Sequence, residues 1–117
     1  MTASLSPYIL STSRNMANVA FDFEWDSKKA SSNFRKHKVS FELAATVFLD
    51  HMALSIFDDA HSQYEERWLT LGFSSNGVLL AVAHTYVLVS TNRIRIRIIS
   101  VRLASKQVRF FYADNPR

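Results

Sequence analysis

The feature that most constrains the fold of this chain is a strict alternation of arginine and isoleucine at residues 93–98. Side chains on a β-strand point alternately to the two faces of a sheet, so Arg93, Arg95 and Arg97 are predicted to share one face. The three isoleucines then share the other face, which requires a hydrophobic core. The segment is therefore predicted to be a strand with one buried face and one strongly cationic face.

Two interpretations of the cationic face remain open. Guanidinium groups on alternate residues are spaced roughly 7 Å apart, which suits the successive phosphates of a nucleic acid. Charged side chains also protect an exposed edge strand from aggregation, and that role requires no ligand. Residues 93–109 contain basic residues and no acidic one, namely Arg93, Arg95, Arg97, Arg102, Lys106 and Arg109. Such a segment favours capture of a polyanion, although an acidic protein partner is an alternative.

The overall composition restricts the class of protein. With 117 residues, of which 48% are hydrophobic, the chain is predicted to be a single globular domain. It contains no run of about 18 apolar residues, so no transmembrane helix is predicted. The sequence has no cysteine, which excludes disulfides and thiolate metal sites and is compatible with a reducing cytoplasm.

The first 19 residues differ in composition from the rest. They are rich in serine and threonine, and the apolar stretch at residues 8–10 is too short for the core of a signal peptide. Residues 1–19 are therefore predicted to be a disordered leader or the product of a misassigned start, with Met16 as the alternative first residue. Residues 20–117 then form the single domain.

The first half of this domain is predicted to contain one strand and two helices. Residues 19–25 alternate apolar and polar side chains, as a half-buried strand does. Asp26 and Ser40 each stand where a helix N-cap belongs. The apolar stripes that follow consist of Ala30, Asn33, Phe34 and His37 in the first helix and Phe41, Ala44, Ala45 and Phe48 in the second.

The second half is predicted to be mostly strand. Strands are expected at residues 52–57, 67–73, 78–89 and 93–102, with a type I′ turn at Asn76-Gly77. A final helix at residues 105–112 has Val108, Phe111 and Tyr112 as its inner stripe. The predicted order is β-α-α-β-β-β-β-α, an α+β fold with an antiparallel β-sheet.

Four short motifs lie in order along residues 21–113. They are Phe23-Glu24-Trp25-Asp26 followed by Lys28 or Lys29; residues 33–41, Asn-Phe-Arg-Lys-His-Lys-Val-Ser-Phe; Glu65-Glu66-Arg67; and residues 97–105, Arg-Ile-Ile-Ser-Val-Arg-Leu-Ala-Ser, with Tyr112 beyond. Together they resemble the signature of the BrnT toxins of bacterial type II toxin–antitoxin systems.

The resemblance implies a RelE-like ribonuclease fold and a toxin that arrests growth by cleaving RNA. It also implies a small antitoxin, BrnA, that masks the toxin and binds the operon's DNA, so that DNA is reached only indirectly. Lys38, Leu103 and Val108 depart from the family pattern, in which glycine, lysine and glutamate are frequent. The alternative is therefore a catalytically inactive member that binds RNA or the antitoxin.

Cleavage of RNA without a metal ion or other cofactor needs a base for the 2′-hydroxyl, cations for the phosphate and an acid for the leaving oxygen. The expected cations are Arg67 and Arg97, and these are expected to converge with Tyr112, the candidate acid or stacking surface, in one groove. The candidate bases are Glu66 and His84. Further contacts to RNA are expected from Arg93, Arg95, Arg102 and Arg109.

Each of these side chains also has a purely structural interpretation. The acidic pair beside Arg67 is equally an ordinary surface ion-pair cluster. His84 lies among apolar residues of its strand and suits a core position, and Tyr112 suits the edge of the core. Residues 58–61, Asp-Asp-Ala-His, read as an acidic loop more readily than as an ion site.

Overall fold

The computed structural model describes residues 19–117, which form a six-stranded sheet with helices on both faces. The segment predicted as a leader lies outside the described residues, apart from Val19. The strands are β1 (Ala20–Glu24), β2 (Leu54–Phe57), β3 (Trp68–Phe73), β4 (Leu79–His84), β5 (Val87–Ser90) and β6 (Arg93–Leu103). The α-helices are α1 (Ser27–His37), α2 (Phe41–Ala45) and α3 (Lys106–Asp114), with 3₁₀ turns at Thr46–Leu49 and Asp59–His61.

The sheet is mixed, which corrects the expectation of an antiparallel sheet. Its order is β1-β6-β4-β3-β2, with β5 also paired to β6. β1 runs parallel to β6, whereas the other pairs are antiparallel. Two strands joined by a short hairpin must run antiparallel. β1 and β6 are distant in sequence, so no local pattern determines their relative direction. The α+β class is confirmed.

The strand predicted at residues 78–89 is broken into β4 and β5. The break is at Thr85 and Tyr86, where the Thr85 N–H donates to the carbonyl of Arg97 at 3.0 Å. The Thr85 hydroxyl accepts from the Arg97 N–H at 3.3 Å, and Tyr86 is buried with 3% exposure. Residues 78–89 are apolar except for His84 and Thr85, and this sequence suits a continuous strand and two short strands equally well.

The turn between β3 and β4 is a three-residue loop and not the predicted type I′ turn. Only Gly77 has a positive φ there, at 80°, whereas a type I′ turn needs positive φ at both central residues. The Ser74 N–H donates to the carbonyl of Val78 at 2.8 Å, and the Gly77 N–H donates to that of Ser74 at 2.9 Å. Gly77 is thus the left-handed residue that closes the hairpin.

The main hydrophobic core lies between the sheet and the helices α1 and α2. Ile94, Ile96 and Ile98 are 2%, 0% and 1% exposed, which confirms the buried face predicted for this strand. Phe41 and Phe48, from α2 and the 3₁₀ turn after it, pack in the same core. The opposite face of the sheet is covered only in part, by α3, through a smaller cluster of Leu71, Leu79, Ala81 and Tyr112.

A β-bulge in β6 decides which residues reach this second face. His84 pairs with Ile98, but Ala83 pairs with Ser100, so Ile99 is an extra residue in the ladder. Ile98 and Val101 can therefore both be buried in the main core, although they are three positions apart. Beyond the bulge, Ser100 and Arg102 emerge on the same face as Arg97.

Both predicted N-caps are present at their helices. The Asp26 carboxylate accepts from the Lys28 N–H at 2.8 Å, and the Ser40 hydroxyl accepts from the Leu43 N–H at 3.0 Å. The predicted stripe of α1 is wrong in part, because Asn33 is its buried residue and Phe34 is 51% exposed. In α3, Phe111 is likewise exposed and Tyr112 alone of the predicted stripe is fully buried among the described residues.

Candidate functional site

The cationic face of β6 is on the second, more open face of the sheet. Arg93 and Arg95 are exposed and Arg97 is partly buried. The parallel strand β1 brings acidic residues alongside, since Asp22 pairs with Arg95 and accepts from the Arg93 guanidinium at 3.0 Å. Residues 93–109 include no acidic residue, but the neighbouring strand β1 places acidic side chains beside them. Arg95 has no ion-pair partner within residues 19–117.

Glu65 bridges the two arginines that were expected to bind phosphate. One carboxylate oxygen accepts a short hydrogen bond from Arg97 Nη2, and the other accepts from Arg67 Nη2 at 3.2 Å and Nε at 3.3 Å. The hydrogen bond from Arg97 is the largest cause that lowers the pKa of Glu65, so this carboxyl is ionised at neutral pH. Arg67 and Arg97 are thus held together around one anion.

The loop that carries Glu65 and Arg67 is closed at its base. The Asp58 N–H donates to the Arg67 carbonyl at 2.8 Å, which extends the ladder between β2 and β3 by one step. The Ser62 hydroxyl donates to the Asp58 carbonyl at 2.5 Å and accepts from the Arg67 N–H at 3.0 Å. These hydrogen bonds therefore hold the two ends of the loop, Asp58 and Arg67, together beside the sheet.

A groove of about 490 Å³ lies between this loop and the far half of β6. Its floor contains the small side chains Ala81 and Ala83 of β4. Since β4 lies between β3 and β6, Arg67 and Arg102 stand on opposite sides of the groove. The remaining lining residues are Ile56, Phe57, Asp58, His61, Leu69, Ile99 and Ser100. Its volume lies in the range of about 300–1,000 Å³ that is usual for ligand sites.

An imidazole–carboxylate pair lies at the rim of this groove. His61 Nδ1 is 2.9 Å from Asp58 Oδ2 and 3.0 Å from Oδ1. The 3₁₀ turn Asp59–His61 places these two side chains three residues apart and on the same side. The ion site considered for this loop is not supported by further ligands, since no group of three metal-binding side chains occurs among the described residues.

Glu66, a predicted base, lies in a second and shallower depression beside the groove. Glu24, Arg95 and Arg97 line the same depression. Glu65 and not Glu66 makes the bridge to Arg67 and Arg97. The backbone bends at Glu65, so the alternation used to interpret β6 does not apply to this part of the loop.

His84, the other predicted base, is buried in the main core with 0% exposure. Its Nδ1 lies 2.8 Å from the Thr85 carbonyl and therefore carries the proton, so Nε2 accepts from the Thr70 hydroxyl at 2.6 Å. Desolvation lowers its pKa to about 4. This position corrects the catalytic expectation, because a satisfied neutral imidazole on the opposite face of the sheet cannot reach a substrate in the groove.

Tyr112 is on the same face as the arginines but at the other end of the sheet. Its ring packs edge-on against Phe73, and its hydroxyl donates to Asp50 at 2.7 Å. Burial is the largest cause that raises its pKa to about 12. Phe73 is six residues beyond Arg67 in nearly continuous strand, a separation of roughly 20 Å. The expected convergence of Tyr112 with the two arginines is therefore not present.

The remaining candidates lie around the groove or in the core. Arg102 lines the groove, and Arg109 is exposed on α3. Trp68 is 3% exposed and packs against Phe57 and Tyr86, so it has a packing role. No helix within residues 19–117 has the length and apolar character needed to cross a bilayer.

Comparison with known proteins identifies the family. Residues 25–107 match the family model described as "Ribonuclease toxin, BrnT, of type II toxin-antitoxin system". A similar solved structure is the 1.1 Å crystal structure of the Brucella abortus ribonuclease toxin BrnT, with 20% sequence identity and a TM-score of 0.48 over 74% of this chain and 100% of that one. No curated protein sequence matches significantly. Because the family model covers well over half of the chain, this protein belongs to the BrnT family of ribonuclease toxins of type II toxin–antitoxin systems.

Proposed function

We propose that this protein is an endoribonuclease toxin that cleaves RNA without a metal ion, by attack of the 2′-hydroxyl on the adjacent phosphate. The observation that carries the proposal is the pair of guanidinium groups, Arg67 and Arg97, held around the Glu65 carboxylate. A carboxylate and a phosphate present similar pairs of oxygens to guanidinium groups. The site is thus already arranged for an anion of this shape.

In the proposed reaction RNA lies along the open face of the sheet, and the scissile phosphate takes the place of Glu65 between the arginines. Attack by the 2′-oxygen produces a pentacoordinate phosphate with additional negative charge. Preorganised guanidinium groups stabilise this charge more strongly than they stabilise the starting diester. Arg102 across the groove and Arg95 beside it bind the neighbouring phosphates, and Arg93 and Arg109 extend the cationic surface.

The departures from the family pattern at Leu103 and Val108 support activity more than its loss. Leu103 pairs with Leu80 and so points to the face opposite the arginines. Val108 packs against the cluster around Tyr112, away from Arg67 and Arg97. Neither residue lines the groove. These substitutions therefore leave the proposed phosphate site intact, which counts against the alternative of a protein that only binds RNA or its antitoxin.

We further propose that a BrnA-like antitoxin inhibits the protein by covering this face. The surface around Arg95, Arg97 and Arg102 suits an acidic or amphipathic segment. Such a segment occupies the positions of the RNA phosphates, so inhibition is steric. A structure of the complex in which Arg97 remains as exposed as it is in the free protein would contradict this part of the proposal.

The experiment compares the wild type with Arg97→Ala and Arg67→Ala. The matched control is Arg35→Ala, because Arg35 is an exposed arginine on α1, across the sheet from the groove. Inducible expression in bacteria is followed by growth and by the integrity of total RNA. Purified proteins are then incubated with RNA in EDTA, and the new ends are analysed. We expect cleavage by the wild type and Arg35→Ala, with 2′,3′-cyclic phosphate ends, and little or none by the other two variants.

Three outcomes contradict the proposal. Arrest and cleavage by the Arg97→Ala and Arg67→Ala variants at the wild-type rate show that these arginines are not the catalytic cations. Cleavage that EDTA abolishes shows that a metal ion is required. A soluble, folded wild type that neither arrests growth nor cleaves RNA supports the inactive alternative, in which Arg97→Ala weakens RNA binding and reduces its salt dependence.

A further inference from the structure

The groove contains a candidate proton acceptor that the sequence patterns did not identify. Among residues 19–117 its lining includes one carboxylate and one imidazole, those of Asp58 and His61. The two bases predicted from the sequence do not line the groove, since His84 is in the core and Glu66 lies with Glu65 and Arg97 in the neighbouring depression. The Glu65 carboxylate already forms ion pairs with Arg67 and Arg97.

The geometry of the pair fixes the tautomer of the imidazole. A carboxylate can only accept a hydrogen bond, so the nitrogen facing it, His61 Nδ1, carries the proton. His61 Nε2 then has a free lone pair, and it has no hydrogen-bond partner among the described residues. The His61 side chain is 69% exposed and that of Asp58 is 27% exposed, so the acceptor nitrogen is open to a substrate.

The same loop links this pair to the phosphate site. Asp58 is hydrogen-bonded through its backbone to Arg67, and Ser62 ties both residues together at the base of the loop. The Asp58–His61 pair and Arg67 are therefore held by one closed loop, and they line the same groove. Small floor residues leave room in that groove for a nucleotide, and the apolar side chains of Phe57 and Leu69 offer a surface for its base.

We propose that His61, oriented by Asp58, is the general base for cleavage in this groove; the inference rests on the proposed ribonuclease activity. His61 Nε2 takes the proton of the 2′-hydroxyl while the 2′-oxygen forms a bond to phosphorus. The bond from phosphorus to the 5′-oxygen then breaks, and this oxygen takes a proton from water. The products are a 2′,3′-cyclic phosphate and a 5′-hydroxyl. His61 is the catalytic residue and Asp58 is its positioning residue.

The test uses the purified full-length protein and a single-stranded RNA oligonucleotide that contains a mapped cleavage site. His61→Ala and Asp58→Asn are compared with the wild type and with His51→Ala, an exposed histidine outside the groove. We expect His61→Ala to lower the single-turnover rate by about 10²–10⁴-fold, the usual range for loss of a general base. The same oligonucleotide with 2′-O-methyl groups cannot react, so it reports binding alone. We expect its dissociation constant for His61→Ala to stay within about twofold of the wild-type value, which corresponds to the few tenths of a kcal/mol typical of a surface substitution.

Two further measurements separate catalysis from structure. Added imidazole is expected to restore part of the activity of His61→Ala but none of the activity of Arg67→Ala. Asp58→Asn is expected to slow cleavage in the wild-type background and to have no further effect in the His61→Ala background, because it acts through His61.

The outcomes distinguish this inference from the proposed function. An active wild type together with a His61→Ala variant that cleaves within about threefold of it overturns the assignment of His61 while the ribonuclease activity stands. Additive effects of the two substitutions overturn the role of Asp58. A folded wild type that does not cleave RNA overturns the proposed function, and this inference with it.

Discussion

The side-chain amide of Asn33 is paired with the peptide group of Val101, which lies 68 residues further along the chain. Asn33 Nδ2 donates to the Val101 carbonyl at 2.8 Å, and its Oδ1 accepts from the Val101 N–H at 3.0 Å. Asn33 is 6% exposed, so its amide makes two buried hydrogen bonds of the kind that a neighbouring strand would make with Val101. It joins α1 to β6 just beyond the bulge that places Arg102 in the groove.

Replacing Asn33 by alanine is expected to lower the free energy of unfolding by about 2–4 kcal/mol. The substitution leaves a buried N–H and a buried carbonyl without partners, and each such group costs about 1–3 kcal/mol. Chemical denaturation measures the effect, with Ser31→Ala, at an exposed position of the same helix, as control. If Asn33→Ala is as stable as this control, the contact contributes no stability.

Lys38 is expected to be a weak point of the fold. It ends α1 with φ at 61°, in the left-handed region where a side chain is unfavourable. We expect Lys38→Gly to raise the free energy of unfolding by about 0.5–1 kcal/mol. Lys38→Ala removes the same charge but keeps the backbone strain, so it should give no such gain. Equal gains from both variants would assign the effect to charge.

Burial of His84 is expected to make the protein less stable in mild acid. The folded state holds its pKa at about 4, below the ordinary value of 6.5, so the unfolded chain binds the extra proton. The contribution of His84 to the free energy of unfolding is fully present above pH 6.5 and is lost as the pH falls towards 4. Between pH 7 and pH 5 the loss amounts to about 2 kcal/mol. Urea denaturation at both pH values measures it. His84→Gln should reduce the difference, whereas His51→Ala should not.

Glu65 is expected to compete with RNA for the arginines. Glu65→Gln removes the negative charge between Arg67 and Arg97, so binding of an unreactive 2′-O-methyl RNA should become roughly two- to fivefold tighter, the equivalent of one partly exposed ion pair. Glu42→Gln, on an exposed face of α2, removes the same charge as control. Weaker binding by Glu65→Gln would mean that Glu65 positions the arginines more than it competes for them.

Features with a local cause were predictable from the sequence. Alternation located the buried isoleucines of β6 and its arginine face, and the N-caps at Asp26 and Ser40 follow from hydrogen bonds within one turn. Arg67 and Arg97 both contact Glu65, whereas Tyr112, which was expected to converge with them, packs against Phe73. The parallel pairing of β1 depends on contacts across almost the whole domain, and no local pattern encodes it.

The candidate site was less predictable because its parts come from different elements. The choice between Glu65 and Glu66 depends on the conformation of the bent loop that carries them. The pairing of Asp58 with His61 depends on a single 3₁₀ turn inside a polar loop. His84 was a candidate base as a residue type, but burial keeps its imidazole neutral, and both ring nitrogens are hydrogen-bonded, to the Thr70 hydroxyl and the Thr85 carbonyl.

The extra residue in β6 makes the composition of the groove depend on strand pairing as well as on residue identity. A regular ladder through the same residues would move every residue after Ile98 to the opposite face of the sheet. Arg102 would then point into the core and Val101 into the groove. The bulge at Ile99 therefore keeps the Arg102 cation on the open face, and deletion of Ile99, which leaves a regular ladder from Ile98 to Ser100, keeps it there as well.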